Sequence, residues 1–150
     1  MIGCKWVLKT KRKTDGTVDK FKARLVAMGC AQRFGVDYEE TFSPVVRRET
    51  IRTMIALTCE MSWSTRHIDV TAAYLNSELN ETICMDQPRY FVAKGKENFV
   101  WKLKSLYWLK QSGKEWFATV DRMLKSFGLM SSQYDECLYF SSNLTLFVTV

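Results

Sequence analysis

Residues 5–27 read KWVLKTKRKTDGTVDKFKARLVA, and this stretch predicts the first element of the fold. Asp15 and Gly16 form a dipeptide that favours a tight turn between two strands. After this turn, charged and apolar residues alternate with a period of two, which is typical of a strand with two different faces. The stretch therefore predicts a β-hairpin, with Lys5 to Lys11 as its first strand and Val18 to Ala27 as its second.

The predicted second strand separates charge from apolar surface. Its cations Lys20, Lys22 and Arg24 share one face, and the other face carries Phe21, Ala23, Leu25 and Ala27. The whole excess charge of +6 comes from residues 1–48, which hold 11 Lys and Arg against 5 Asp and Glu. A localised basic face attracts polyanions such as nucleic-acid phosphates. A solvated charged hairpin without a ligand is the alternative interpretation.

Composition and cysteine usage exclude several classes of protein. The 150 residues are 47% hydrophobic and 25% charged, as expected for one globular domain. The apolar runs are far shorter than the ~20 residues that span a bilayer, and no signal-peptide core follows Met1, so we expect neither membrane insertion nor secretion. The five cysteines are scattered without a CxxC pair, which favours a reducing compartment over a disulfide framework or a zinc site. P-loop, GxGxxG and GxSxG motifs are absent.

Apolar spacing predicts the remaining elements. Ser43 and Pro44 resemble an N-cap followed by a first-turn proline, which predicts a helix over 45–61. Gly128 is placed to end a second amphipathic helix over 114–127. The other predicted elements are a strand over 64–70, a helical or turn segment over 71–79, short strands over 83–85 and 99–103, and a C-terminal hairpin of 137–140 with 144–150.

Asp69 is the strongest candidate for chemistry from the residues themselves. It lies between Ile68 and Val70 at the end of the predicted strand, where an unpaired charge would be costly. Such a carboxylate either accepts hydrogen bonds from nearby backbone groups or binds a metal ion. His67 is the only histidine, which excludes a histidine-rich metal cluster, and the pair Asp135-Glu136 is interpreted as solvated loop charge.

Several blocks of sequence, in order along the chain, resemble a known family. They are KWVLKTKRK (5–13), FKARLVA (21–27), VDYEETFSPVV (36–46), HIDVTAAYLN (67–76), KLKSLY (102–107) and LKQ (109–111), followed by Trp116. Together they resemble the reverse transcriptase of copia-type LTR retrotransposons, and they cover nearly the whole chain.

The resemblance implies an α+β chain with part of a right-hand polymerase fold. The fingers would occupy about residues 1–62 and the first part of the palm residues 63–150, before the family's Tyr-x-Asp-Asp strand. The implied reaction adds deoxynucleotides to a primer on an RNA or DNA template and uses two Mg²⁺ ions held by oxygen ligands. The implied partners are a template with its primer, deoxynucleoside triphosphates and the rest of the Pol polyprotein. No membrane is implied as a partner. The implied location is intracellular, either cytoplasmic in a virus-like particle or nuclear.

The resemblance also assigns roles to individual residues. Asp69 matches the first catalytic and metal-binding carboxylate, and the carbonyl of Val70 is the neighbouring metal ligand. Tyr74 matches the aromatic gate that opposes a ribose 2′-OH, with a core aromatic residue as the alternative interpretation, and Ala73 lies beside it in the nucleotide site. The remaining residues assigned to nucleotide binding are Lys22, Arg24 and Gln111. Those assigned to nucleic-acid binding are Lys20, Lys22, Arg24 and Lys110.

Three departures from the family pattern bear on activity. Trp108 stands where the family has a glycine that permits close backbone approach, and Gly113 stands where it generally has proline. The 150 residues also lack a Tyr-x-Asp-Asp motif, so Asp69 is the one metal carboxylate that the resemblance identifies. We therefore expect a polymerase fragment that is inactive alone, and the alternative is a non-catalytic, basic nucleic-acid-binding remnant of a decayed element.

Overall fold

A computed structural model describes residues 1–142 and 147–149, and in these ranges helices are combined with short antiparallel sheets. This arrangement agrees with the mixed α and β content that the sequence predicts. Single 3-10 turns lie at Gly29–Ala31 and Ala73–Asn76. The other elements, in chain order, are β1 (Cys4–Arg12), β2 (Val18–Ala27), α1 (Arg48–Glu60), β3 (Cys84–Met85), β4 (Trp101–Lys102), α2 (Ser112–Ser126), β5 (Leu129–Ser131), β6 (Leu138–Ser141) and β7 (Phe147–Thr149).

The predicted N-terminal hairpin is confirmed. β1 and β2 pair antiparallel from Cys4 opposite Ala27 to Lys11 opposite Lys20, with an irregularity before Arg12. Gly16 has φ +85°, a conformation that glycine adopts without steric cost. Asp15 accepts hydrogen bonds from the backbone N–H and the hydroxyl of Thr17, at 2.8 and 2.6 Å, and the hydroxyl bond is the main cause of a lowered Asp15 pKa. The turn therefore forms from local chemistry.

The apolar face of the hairpin is covered only near its base. Ala27 is fully buried and Leu25 packs against the same core. Farther out, Trp6 packs against Phe91 with ring centroids 5.3 Å apart, whereas Phe21 remains 78% exposed. The hairpin thus projects from the core with its tip in solvent.

A small core anchors the base of this hairpin. The strands β3 and β4, which the sequence predicts, pair through Cys84 opposite Lys102 and Met85 opposite Trp101. The N-terminus joins them, because Ile2 donates a backbone hydrogen bond to Cys84 and accepts one from Asp86. The buried apolar members of this core are Ile2, Ala27, Ile83, Met85, Leu106 and Leu109.

A second core lies beneath α2. The predicted helix is confirmed and begins two residues earlier than its predicted start, at Ser112, and Gly128 follows it with φ +80°. Its apolar face packs on a three-stranded sheet in the order β5-β6-β7. Strand β5 was not predicted from the sequence, whereas β6 and β7 agree with the predicted hairpin, of which residues 143–146 and 150 lie outside the described residues. The buried members are Val120, Leu124, Leu129 and Tyr139.

Helix α1 is confirmed, but its predicted N-cap is wrong. The helix begins at Arg48, and the Ser43 hydroxyl instead donates to the Gly113 carbonyl at 3.2 Å. The cap comes from a residue 88 positions away: the Asp135 carboxylate accepts from the backbone N–H of Arg47 at 3.0 Å and from the Thr50 hydroxyl at 2.5 Å. A local sequence pattern cannot reveal such a distant cap.

Asp135 is therefore a buried structural residue, which corrects its interpretation as solvated loop charge. Its side chain also accepts a hydrogen bond from the backbone N–H of Cys137 at 3.0 Å. Burial works to raise the pKa of Asp135, but the hydrogen bonds from Thr50, Arg47 and Cys137 outweigh it and hold the pKa below its ordinary value of 3.8. The carboxylate also matches the positive end of the α1 dipole.

The strand predicted over residues 64–70 is absent. This segment has no regular structure and is exposed throughout, with Ile68 at 79%. A strand needs a neighbour for its backbone groups, and within the described residues no segment pairs with it, so water hydrates this backbone instead. The premise that Asp69 is a buried charge is therefore wrong, because the residue is exposed.

No helix within residues 1–142 and 147–149 has the length and apolar character to cross a membrane.

Substitution of Asp135 tests its role as the distant cap of α1. Asp135→Ala removes three hydrogen bonds, so we expect the free energy of unfolding near neutral pH to fall by about 1–3 kcal/mol in urea denaturation. Because folding lowers the pKa of Asp135, its contribution is complete above the ordinary value of 3.8 and is lost as pH falls through the folded value. The gap between variant and parent should therefore narrow in acid.

The matched control is Glu136→Ala, which changes an exposed neighbour and should cost less than about 0.5 kcal/mol. Equal losses in the two variants, or a gap that does not depend on pH, would contradict the capping role.

Candidate functional site

The paired strands place six cations on one face of the hairpin. Because residues directly opposite in an antiparallel pair share a face, the register joins the cations of β1 to those of β2. This confirms that Lys20, Lys22 and Arg24 lie together. We call the set the basic face: Lys5, Lys9, Lys11, Lys20, Lys22 and Arg24.

Like charges meet directly on the basic face. Lys9 lies opposite Lys22, and Lys11 lies opposite Lys20. The Lys11 ammonium is the main cause of a lowered Lys22 pKa, followed by burial and by the charges of Lys20 and Arg24. Cross-strand pairs of like charge destabilise a hairpin, so a bound polyanion would relieve a repulsion already present in the fold.

Tyr107 connects the basic face to the predicted sugar gate. The Arg24 guanidinium carbon lies 5.9 Å from the centroid of the Tyr107 ring. The same ring meets Tyr74 edge to face, with centroids 5.4 Å apart and an interplanar angle of 83°. The backbone of the hairpin also contacts the segment that carries Tyr107, because Ala27 donates its N–H to the Tyr107 carbonyl at 3.0 Å. Two residues predicted to bind nucleotide thus contact one intervening aromatic ring.

A tight turn holds Tyr74 in place. Ala72 adopts φ +53° immediately before the 3-10 turn that contains Ala73 and Tyr74. The Asn76 amide donates to the carbonyl of Ala72 at 3.3 Å, and the buried Ser77 donates its hydroxyl to the Tyr74 carbonyl at 2.9 Å. These bonds agree with the turn predicted over 71–79 and fix the backbone beneath the Tyr74 ring.

Asp69 and Val70 precede this turn in the exposed irregular segment. Their carboxylate and carbonyl oxygens are ligands of the type that Mg²⁺ accepts, but two such ions need several carboxylates. Within the described residues, no group of three or more His, Cys, Asp or Glu side chains could hold a metal ion. The described residues therefore do not form a two-metal site by themselves, and we derive no catalytic step through one.

Gln111 lies inside the protein and is fully engaged. Its side chain is completely buried, and its amide N–H groups donate to the Asp37 carbonyl at 2.9 Å and to the Glu81 carboxylate at 3.1 Å. Its amide oxygen accepts a hydrogen bond from Gln32 at 2.9 Å. Gln32 in turn accepts the backbone N–H of Lys110 at 2.8 Å. As arranged here, the Gln111 amide contacts protein groups alone, and its predicted contact with a nucleotide stays a prediction.

Lys110 is exposed beside this network. Its ammonium donates to the Tyr38 hydroxyl at 3.0 Å and lies 4.6 Å from the centroid of the same ring. Lys110 is thus held in place at the surface by Tyr38.

Sequence reasoning missed Gln32 and Tyr107 as residues that connect the predicted site. Gln32 carries no local signal, because its partners lie about 80 positions away. Tyr107 belongs to a block that resembles the family, but its ring contacts follow from the fold alone. A separate cleft of about 210 Å³, lined by Phe42 and Tyr134 among others, includes none of the predicted site residues.

Comparison with known proteins identifies the family. Residues 1–150 match the family described as reverse transcriptase (RNA-dependent DNA polymerase). This chain belongs to that reverse transcriptase family. The finding confirms the resemblance that the sequence blocks indicate. No solved structure matches the chain.

Relatives of this reverse transcriptase chain include Pol polyproteins from plant transposons. It is 41% identical over 140 residues to the retrovirus-related Pol polyprotein from transposon TNT 1-94 of Nicotiana tabacum. It is 39% and 38% identical, each over 140 residues, to those from transposons RE1 and RE2 of Arabidopsis thaliana. Each match covers 93% of this chain and 10% of the relative, so the chain spans about a tenth of these polyproteins.

Gln32 offers a test of the buried amide network. Gln32→Leu leaves the amide oxygen of Gln111 and the N–H of Lys110 without their partner, so the free energy of unfolding should fall by about 1–3 kcal/mol in urea denaturation. The control Gln133→Leu changes an exposed glutamine and should stay within about 0.5 kcal/mol of the parent. Similar values for the two variants would mean that the network adds little to stability.

Proposed function

We propose that this chain forms the fingers, about residues 1–62, and the first part of the palm, 63–150, of a copia-type retrotransposon reverse transcriptase. In the whole protein the activity would be RNA-directed DNA synthesis on a primer. The observation that carries the proposal is the contact of one ring, Tyr107, with a cation of the basic face and with the predicted sugar gate. Under this proposal, the Tyr107 ring lies between a group that would bind phosphate, Arg24, and a group that would oppose the sugar, Tyr74.

The basic face would contact the phosphates of template and primer. Lys20, Lys22 and Arg24 would supply most of this contact, with Lys110 on the neighbouring segment. Phosphate contacts position a nucleic acid without reading its bases, so binding should be non-specific in sequence and sensitive to salt.

The nucleotide would lie beside the turn that carries Ala73 and Tyr74. Arg24 and Lys22 would meet its triphosphate, and the Tyr74 ring would oppose a ribose 2′-OH. Gln111 completes this set, and because its amide is bonded to three protein groups it would act by fixing the segment from Tyr107 onward. We infer that Tyr107 is a positioning residue for the gate.

Asp69 and the Val70 carbonyl would provide part of the ligand set for Mg²⁺. The resemblance assigns the other carboxylates to a Tyr-x-Asp-Asp motif that these 150 residues do not contain. Two bound ions would stabilise the attacking and leaving oxygens of nucleotidyl transfer in the intact enzyme. We therefore propose that the 150-residue chain does not polymerise by itself.

The alternative function is nucleic-acid binding without catalysis, as a remnant of a decayed element. It is favoured by the combination of a complete basic face with a single identified metal carboxylate. As part of a Pol polyprotein, the chain would work with the remainder of that protein inside the cell, in a virus-like particle or the nucleus.

Charge removal tests the basic face. Substitution of Lys20, Lys22 and Arg24 together by Gln should weaken binding to a primer-template. It should also make the slope of log K, the association constant, against log salt less steep by about 2–3. Each duplex phosphate contact that is lost reduces the steepness of this slope by about 0.9. Fluorescence anisotropy over a salt series measures both quantities.

The matched control replaces one arginine and two lysines outside the basic face, namely Arg89, Lys94 and Lys96, and thus removes the same charge. We expect its slope to stay near the parent value. If the slope changes equally in both triple variants, net charge rather than the basic face governs binding.

A primer-extension assay tests the proposed inactivity. The purified chain with Mg²⁺, deoxynucleoside triphosphates and a labelled primer-template should give no extended product, because one carboxylate cannot hold two ions. A complete reverse transcriptase in the same buffer provides the positive control. Extension by the chain that Asp69→Asn abolishes would refute the proposal.

A further inference from the structure

Trp108 is a large aromatic residue in a conformation that favours glycine. Its φ is +72°, and its side chain is 54% exposed. Its backbone is fixed on one side by Gly29, where an added Cβ would lie 1.9 Å from the Trp108 carbonyl oxygen. The next residue, Leu109, is buried in the small core at the base of the hairpin. The close approach of Gly29 and the burial of Leu109 therefore constrain the Trp108 backbone on both sides.

The indole is not among the residues that pack into the core at the base of the hairpin. A left-handed backbone costs a residue with a Cβ about 1–2 kcal/mol, and glycine avoids that cost. With 54% of its surface exposed, Trp108 gains only about half of the burial free energy of a fully buried tryptophan. Strained residues that persist at a surface are candidates for function, which directs attention to what surrounds the ring.

The ring lies at one end of the basic face. The Lys5 ammonium is 4.7 Å from the centroid of the Trp108 ring. Lys5 belongs to the basic face, and the neighbouring Tyr107 contacts Arg24 of the same face. Exposed aromatic surface and a row of cations are therefore continuous here.

We propose that Trp108 is a stacking platform for a base of single-stranded nucleic acid whose phosphates lie along the basic face. This inference rests on the proposed function of that face and extends it to a base-binding site. Proteins that bind single strands combine a cationic track with exposed aromatic rings, and each stacked base is worth about 1–3 kcal/mol. The six cations of the basic face favour a polyanion over an apolar protein partner.

Stacking does not depend on which base is present, since every base has an aromatic face. The platform should therefore add affinity for single strands without adding sequence preference. The affinity that stacking adds should not fall as salt rises, because stacking releases no counterions. The affinity from phosphate contacts should fall, because those contacts do release counterions.

The test uses the 150-residue chain with two ligands of equal length and charge, an oligothymidylate and an abasic oligomer. The parent chain should bind the oligothymidylate about 5- to 150-fold more tightly. Trp108→Gly and Trp108→Leu should both lose this preference and keep their affinity for the abasic oligomer. Trp101→Leu, which changes an exposed tryptophan in β4, should retain the preference.

A stability measurement separates stacking from misfolding. Trp108→Gly should raise the unfolding temperature, because glycine relieves the left-handed strain, while it lowers affinity for bases. If both Trp108 variants keep the preference for bases, the proposed stacking role of Trp108 is wrong, and the proposed role of the basic face is unaffected. A parent chain that binds neither oligomer would overturn both proposals.

Discussion

The hydrogen bond between the side-chain amides of Gln32 and Gln111, 2.9 Å long and buried, joins segments 79 positions apart. Gln32 follows the hairpin, and Gln111 immediately precedes α2. Through them the Asp37 carbonyl, the Glu81 carboxylate and the backbone of Lys110 are fixed to one another. Within the described residues, no buried side-chain polar atom lacks a partner, so the network avoids the cost of unpaired groups in the interior.

That network sets the positions of the site residues. Because Gln32 holds Lys110 by its backbone, the preceding residues Tyr107 and Trp108 lie against the base of the hairpin. Tyr107 then reaches Arg24 and Tyr74, and Trp108 reaches Lys5. The arrangement of cations and aromatic rings is thus a consequence of a polar interior rather than of the exposed residues themselves.

Other parts of the fold are joined more sparsely. Helix α1 has no buried residue, and Ile55 on its surface is 57% exposed. Its N-terminus is attached through the hydrogen bonds of Asp135 to Arg47 and Thr50. The hairpin tip likewise leaves Phe21 exposed. The chain spans about a tenth of its polyprotein relatives, so in those relatives the matching segment is part of a much longer protein.

The sequence by itself determined the features that depend on neighbours along the chain. The Asp15-Gly16 turn, the alternation that aligns Lys20, Lys22 and Arg24, and the apolar stripe of α2 all follow from local periodicity and turn chemistry, and the ordered blocks identified the reverse transcriptase family. The roles of Asp69, Tyr74 and Gln111 at a nucleotide are still predictions from that family.

The tertiary structure decided what depends on residues far apart in sequence. Within the described residues it left the segment over 64–70 unpaired, capped α1 with Asp135, buried Gln111 and gave Trp108 a left-handed conformation. Each outcome depends on whether a partner tens of residues away is present, and hydrogen bonding and steric exclusion between such partners produce no periodic pattern in the sequence.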